Sequence, residues 1–120
     1  MDNTDDLPAI RQQRNLLLDF YGPMLTKRQA TCFTMRYVED CSLTEIAHEL
    51  NISPQAVVDF IKRSVERLER YEEQLGLVRK FQMQQAVSVQ ILAKLDEIER
   101  EIGPMEPIKW IRDAIDELII

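Results

Sequence analysis

Little in this chain favours β-structure, export or metal chemistry. It has three glycines and few alternations of β-branched with polar residues. Leu, Ile, Glu, Arg and Gln dominate instead, and these favour helix at nearly every position. Two cysteines, Cys32 and Cys41, and a single histidine, His48, match neither a zinc-ligand spacing nor a disulfide framework, so no metal and no cofactor is expected. Cys32 falls on the apolar side of a predicted helix and is expected as a small buried hydrophobe. No uncharged run approaches the roughly 20 apolar residues that span a bilayer, and Met1-Asp2-Asn3-Thr4-Asp5-Asp6 lacks the basic-plus-apolar pattern of a signal peptide. The expectations are no membrane insertion and a cytoplasmic location. A nucleophile–base pair, a phosphate-cradling glycine loop and a carboxylate cluster are also missing, which points away from an enzyme.

An excess of positive charge is the other absence. The net charge is −6, and its distribution matters more than its sum. Residues 26–70 carry seven Lys/Arg against seven Asp/Glu, residues 71–120 six against ten, and residues 1–25 two against four. The middle of the chain is neutral and its flanks are acidic. Freestanding DNA binders usually present a basic footprint, because phosphate neutralisation supplies most of their non-specific affinity. Strong solitary DNA binding is not expected.

What is present is a chain of 120 residues, 45% hydrophobic and 30% charged, enough for one modest core with an extension. The predicted fold is all-α, a helix-turn-helix with a long C-terminal helical extension. Residues 1–8 are read as a disordered acidic tail, 9–76 as the helix-turn-helix domain and 77–120 as the extension. A first helix over about 9–21 carries Leu16, Leu17, Phe20 and Tyr21 as its apolar stripe, ended by Gly22-Pro23. Thr26 with Gln29, and Ser42 with Glu45, have capping-box spacing and open two further helices. Cys32, Phe33, Met35 and Tyr37 supply the apolar positions of the first of these, and Leu43, Ile46, Ala47 and Leu50 those of the second. Asn51 suits the left-handed position that closes it.

Ser53 then caps a fourth helix beginning at Pro54. Its core side is Ala56, Val57, Phe60, Ile61 and Leu68. Gln55, Val58, Asp59, Lys62 and Glu66 point outward, with Arg63 and Arg67 at the edge. Beyond Gly76, Phe81, Ile91, Leu95, Ile98 and Ile102 mark a long helix closed by Gly103-Pro104. A last helix, with Pro107 at its start, holds Ile108, Trp110, Ile111, Ala114, Ile115, Leu118, Ile119 and Ile120. Such a stripe must pack against something. Two readings stay open: it folds back on the long helix, or it forms a homodimer seam.

Leu25-Thr26-Lys27-Arg28-Gln29, Arg36-Tyr37-Val38-Glu39-Asp40, Ser42-Leu43-Thr44-Glu45-Ile46-Ala47 and Asn51-Ile52-Ser53 together resemble region 4 of bacterial sigma factors. Within that class the chain is more similar to the YlxM family of small helix-turn-helix proteins. Asn15-Leu16-Leu17-Leu18-Asp19-Phe20-Tyr21, Ser53-Pro54-Gln55-Ala56-Val57, Ile61-Lys62-Arg63 and the run Leu68 to Leu77 carry that likeness, which covers roughly residues 14–100. The resemblance implies a bacterial cytoplasmic protein linked, through gene neighbourhood, to the signal recognition particle, as a regulator or a binder of its RNA or GTPase. The chain departs from sigma-type promoter readers at Pro54 and Val58, where such proteins often carry arginines able to read guanine.

The candidate nucleic-acid-binding residues are therefore Lys27, Arg28, Lys62, Arg63 and Arg67 as phosphate contacts, with Gln55 and Asp59 on the presented face. The expected partners are signal recognition particle RNA, its GTPase, or both. The rival expectation is a dimeric transcription regulator that binds duplex DNA. A third reading, an interaction protein without nucleic-acid binding, would show its Lys/Arg rim saturated by neighbouring acids such as Glu66, Glu69 and Glu72. The hydroxyls Ser42 and Ser53 and the Glu45 carboxyl are read as caps rather than chemistry.

Overall fold

The computed structural model describes residues 8–118 as six α-helices. These are α1 (Pro8–Tyr21), α2 (Lys27–Tyr37), α3 (Leu43–Leu50), α4 (Pro54–Leu75), α5 (Leu77–Ile102) and α6 (Glu106–Leu118), with a 3-10 turn over Gly22–Met24. No strand occurs among the described residues. The predicted acidic tail lies, apart from Pro8, outside the described residues, as do Ile119 and Ile120; Pro8 itself opens α1. Two compact units divide the chain, one ending at Val78 and the other beginning at Arg79.

The start signals of the first unit are local and chemical. Thr26 accepts a hydrogen bond from the Gln29 N–H at 3.2 Å while the Gln29 side chain accepts from the Thr26 N–H at 3.1 Å. Ser42 and Glu45 make the same reciprocal pair at 3.1 and 3.2 Å. At α4 the Ser53 hydroxyl accepts from the Ala56 N–H at 3.0 Å, and Pro54 takes the first position. Each box satisfies two N–H groups that a helix end otherwise leaves orphaned. Asn51 closes α3 in the left-handed region at φ 54°, and Gly76 closes α4 at φ 62°. Asp40 adopts φ 61° in the bend before α3, and Arg11 of α1 bonds its carboxyl.

Periodicity then decides which faces are buried. Leu17 and Tyr21 of α1, Cys32, Phe33 and Tyr37 of α2, Ile46 and Ala47 of α3, and Val57, Ile61 and Leu68 of α4 form one core, to which Val78 is added. Phe33 and Tyr37 rings meet at 4.7 Å. Full burial of side chains such as Phe33, Ile46 or Leu68 contributes about 1.5–3 kcal/mol each. Leu16, Met35, Leu43, Leu50, Ala56 and Phe60 are only half-buried at the margin of this core. Phe20, expected in the apolar stripe, is exposed; on a helical wheel it lies about 60° from Leu17, outside the narrow strip that α1 buries.

Tyr21 joins the first and last parts of this unit. Its hydroxyl donates to Glu72 Oε1 at 2.6 Å and accepts from the Leu77 N–H at 3.0 Å, while Glu72 Oε1 also accepts from the Val78 N–H at 2.9 Å. Tyr71 stacks beside it with centroids 6.1 Å apart. The side chains of α1 and α4 thus cap the first turn of α5, where an acidic group is favoured by the helix dipole.

In the second unit α6 folds back on α5. Arg112 pairs with Asp96 and with Glu99, the latter at 3.3 Å, and Leu95, Ile108 and Ile115 are buried. These two carboxyls hold the Arg112 guanidinium even more firmly in its charged form. Of the apolar residues whose spacing marks this helix, Leu95 is buried while Ile91, Ile98 and Ile102 are exposed.

Candidate nucleic-acid interface

The presented surface is the outer side of α4. Val57, Ile61 and Leu68 tie the helix to the core on one side, so helical geometry turns Gln55, Asp59, Lys62, Arg63 and Glu66 to solvent, all of them exposed. Val58 is exposed on the same side and Pro54 begins it. Arg67 is half-buried at the edge. Gln55 and Arg67 are twelve positions apart, about 18 Å along the axis.

Lys27 and Arg28 stand on the first turn of α2, both exposed. A hydroxyl within the core places that turn. Ser64, fully buried, donates to the Phe60 carbonyl at 2.7 Å and lies 3.4 Å from the carbonyl of Gln29. The α2 start is thereby held against the middle of α4, and Lys27 and Arg28 sit within a turn of that anchor. Lys62, Arg63 and Arg67 lie on this part of α4, two to three turns beyond Gln55.

One ion pair occurs within the rim, to an acid that the third reading did not name. Arg63 binds Asp59 at 3.1 Å, one turn back on α4, and not Glu66, Glu69 or Glu72. An acid four residues before an arginine is the favoured orientation on a helix, and Glu72 is taken up by Tyr21 and the α5 start. Lys27, Arg28, Lys62 and Arg67 make no ion pair among the described residues.

Sequence reasoning missed Arg70. Arg63, Arg67, Arg70, Tyr71 and Gln74 line one shallow pocket of 300 Å³ together with Glu66. The signal was available: 63, 67, 70 and 74 follow the four-three-four spacing that stacks side chains along one helix face. Arg70, also without an ion-pair partner among the described residues, extends the cationic strip by a turn. A groove with several guanidinium groups suits phosphate oxygens, which arginine meets with two parallel hydrogen bonds.

The remaining candidates are structural. Cys32 is fully buried, which pushes its thiol pKa up against the opposing pull of Arg28. Cys41 is shifted the same way by burial and then by Glu45, Glu39, Asp40 and Glu49. Neither is an activated thiol. Arg36 is buried, and its guanidinium donates to the Cys41 carbonyl at 3.2 Å. Arg14 lies over the Tyr37 ring at 5.0 Å. No group of three metal-ligating side chains is found among the described residues, and no described helix is long and apolar enough to cross a membrane.

Comparison with known proteins matches this arrangement to a family. Residues 9–108 fit the UPF0122 family model, described as "Putative helix-turn-helix protein, YlxM / p13 like". A UPF0122 protein of Listeria innocua is 47% identical over 81 residues, covering 68% of this chain and 74% of its own length. One from Bacillus cereus strain AH187 is 43% identical over 105 residues, covering 87% and 92%. A Listeria monocytogenes relative is 46% identical over 81 residues, covering 68% and 74%. With the family model spanning residues 9–108 and these relatives covering two thirds or more of its length, the chain belongs to the UPF0122 family of helix-turn-helix proteins.

Proposed function

We propose that this protein is a non-enzymatic helix-turn-helix regulator or adaptor of the signal recognition particle pathway, which binds the structured RNA of the particle through the cationic strip of α4 and the start of α2. Lys27, Arg28, Lys62, Arg67 and Arg70 contact phosphates; Gln55 stands at the leading end of the presented face. The link to the particle rests on the likeness to YlxM proteins. The observation that carries the binding role is that five cations of this strip have no ion-pair partner among the described residues, although acids are plentiful nearby. An interaction protein that had given up nucleic acid would have its rim neutralised.

RNA is favoured over promoter DNA by the leading end of α4. A base-reading helix normally places its specific side chains in its first turns. Here those turns carry Pro54, Val58 and an Asp59 that occupies Arg63, so guanine recognition by arginine is absent where duplex readers use it. The cations lie further along, where they grip a backbone.

A tagged full-length protein used as bait in lysate, with and without ribonuclease, tests the assignment. Enrichment of the particle's RNA that is lost when Lys62, Arg67 and Arg70 are replaced by glutamate is the expected result. Retention of the GTPase alone, insensitive to ribonuclease, would move the contact from RNA to protein. Recovery of discrete genomic DNA fragments without either component would overturn the reading in favour of a transcription regulator.

A further inference from the structure

The second unit leaves an apolar strip uncovered. Met83, Val87, Ile91, Ile98 and Ile102 of α5 are all exposed, and their positions fall within about 100° of the helix circumference. Lys80, Met83, Val87 and Ile91 of α5, with Ile115 and Leu118 of α6, line a groove of 470 Å³ along it. Leu118, at 79% exposure, is the most open large apolar side chain described. The α5–α6 hairpin thus has a second apolar side besides the one that its own helices bury.

Charge along the same helix identifies what fits there. Residues 77–90 carry Arg79 and Lys80 with no acid, whereas residues 91–102 carry Lys94 and Arg100 against Asp96, Glu97, Glu99 and Glu101. The strip is positive at one end and negative at the other. A second α5 laid parallel would set like against like; laid antiparallel, it answers both ends at once. Of the acids of α6, Asp116 lies with Gln82, Gln85 and Val89 along an adjoining groove.

We infer that the α5–α6 hairpin is a homodimer seam, in which two copies of α5 pack antiparallel about a two-fold axis near Ile91 and Lys80 of each copy meets Glu101 of the other. In that register Met83 opposes Ile98, and Val87 opposes the aliphatic stem of Lys94, whose ammonium reaches outward to Glu97 at 3.5 Å. The interface is isologous and closed, as a two-fold requires. Met83 to Ile102 spans about 29 Å of helix. Across the width of two helices this gives a footprint of roughly 600 Å² per copy, near the lower limit for a specific dimer. The product is a four-helix arrangement with α5 at its centre. None of these residues belongs to the cationic strip of α4, so a monomer that still bound RNA would overturn the seam and leave the RNA reading intact.

Sedimentation of the full-length protein over a concentration series tests the inference, with Ile91→Glu, Lys80→Glu, Glu101→Lys and the Lys80→Glu/Glu101→Lys double variant. All three positions are exposed, and circular dichroism checks that helicity is kept. The wild type is expected to sediment as a dimer and Ile91→Glu as a monomer. Each single charge reversal is expected to weaken dimerisation by about tenfold, and the double variant to recover most of that loss. A wild type that stays monomeric at about 100 μM, well above the micromolar range expected for such an interface, would overturn the inference. So would a dimer that both single reversals weaken and the double reversal does not restore.

Discussion

Tyr21 is the residue on which the first unit closes. Its hydroxyl both donates and accepts, linking α1, α4 and the first turn of α5. Tyr21→Phe keeps the ring but removes both hydrogen bonds, and a loss of about 1–2 kcal/mol in denaturant unfolding is expected. The pH dependence has a definite sign. Burial first, and then the hydrogen bond to Glu72, raise the Tyr21 pKa above its ordinary 10.0. The folded state therefore holds the neutral phenol, and this contribution is complete below pH 10 and is lost as pH rises through the raised value. Wild-type stability is expected to fall more steeply above pH 10 than that of Tyr21→Phe; parallel curves would remove Tyr21 from the account. No sequence pattern exposed this contact, because Tyr21 and Glu72 are far apart in the chain and each looks like an ordinary helical residue. Arg63 is the opposite case. Its partner Asp59 was visible at four-residue spacing, yet nearby Glu66 and Glu69 were equally plausible by composition.

At the scale of elements, the sequence announces its helices through their ends. Thr26/Gln29, Ser42/Glu45, Ser53-Pro54, Asn51 and Gly76 all act at the termini where the spacing put them, because capping is a local contest decided within four residues. Ser42→Ala and Ser53→Ala are each expected to cost about 1 kcal/mol in thermal or denaturant unfolding. Replacing Thr44, exposed within α3, by alanine serves as the control and should change stability by less than about 0.5 kcal/mol. Equal effects at all three sites would deny the caps their role. Less legible was the depth of burial. Periodicity grouped Phe20 with Leu17 and Tyr21, and Ile98 and Ile102 with Leu95, but a stripe does not state how wide a neighbour will cover it. Only the packing of α6 on α5 separates Leu95 from Ile98.

For the whole molecule, a net charge of −6 sits beside five cations with no ion-pair partner among the described residues, and the proposed RNA binding rests on them. The neutral balance over residues 26–70 concealed them, since sequence counting cannot tell an acid that neutralises the rim from one that caps a helix, as Glu45 does. Arg70 escaped notice for the same reason, standing next to Glu69 in sequence although its side chain lines a pocket with Arg63 and Arg67. Affinity for a polyanion should then depend on salt in proportion to the phosphates contacted, with a slope in log–log form of about −0.7 to −0.9 per contact. The direct measurement is equilibrium binding of purified protein to signal recognition particle RNA over a salt series, for the wild type and for Lys62→Glu/Arg67→Glu. The account predicts specific binding by the wild type, with the double variant at least about tenfold weaker and its salt slope shallower by about 1.5. Unchanged affinity and slope in the variant, or equal affinity for an unrelated RNA of the same length, would contradict it.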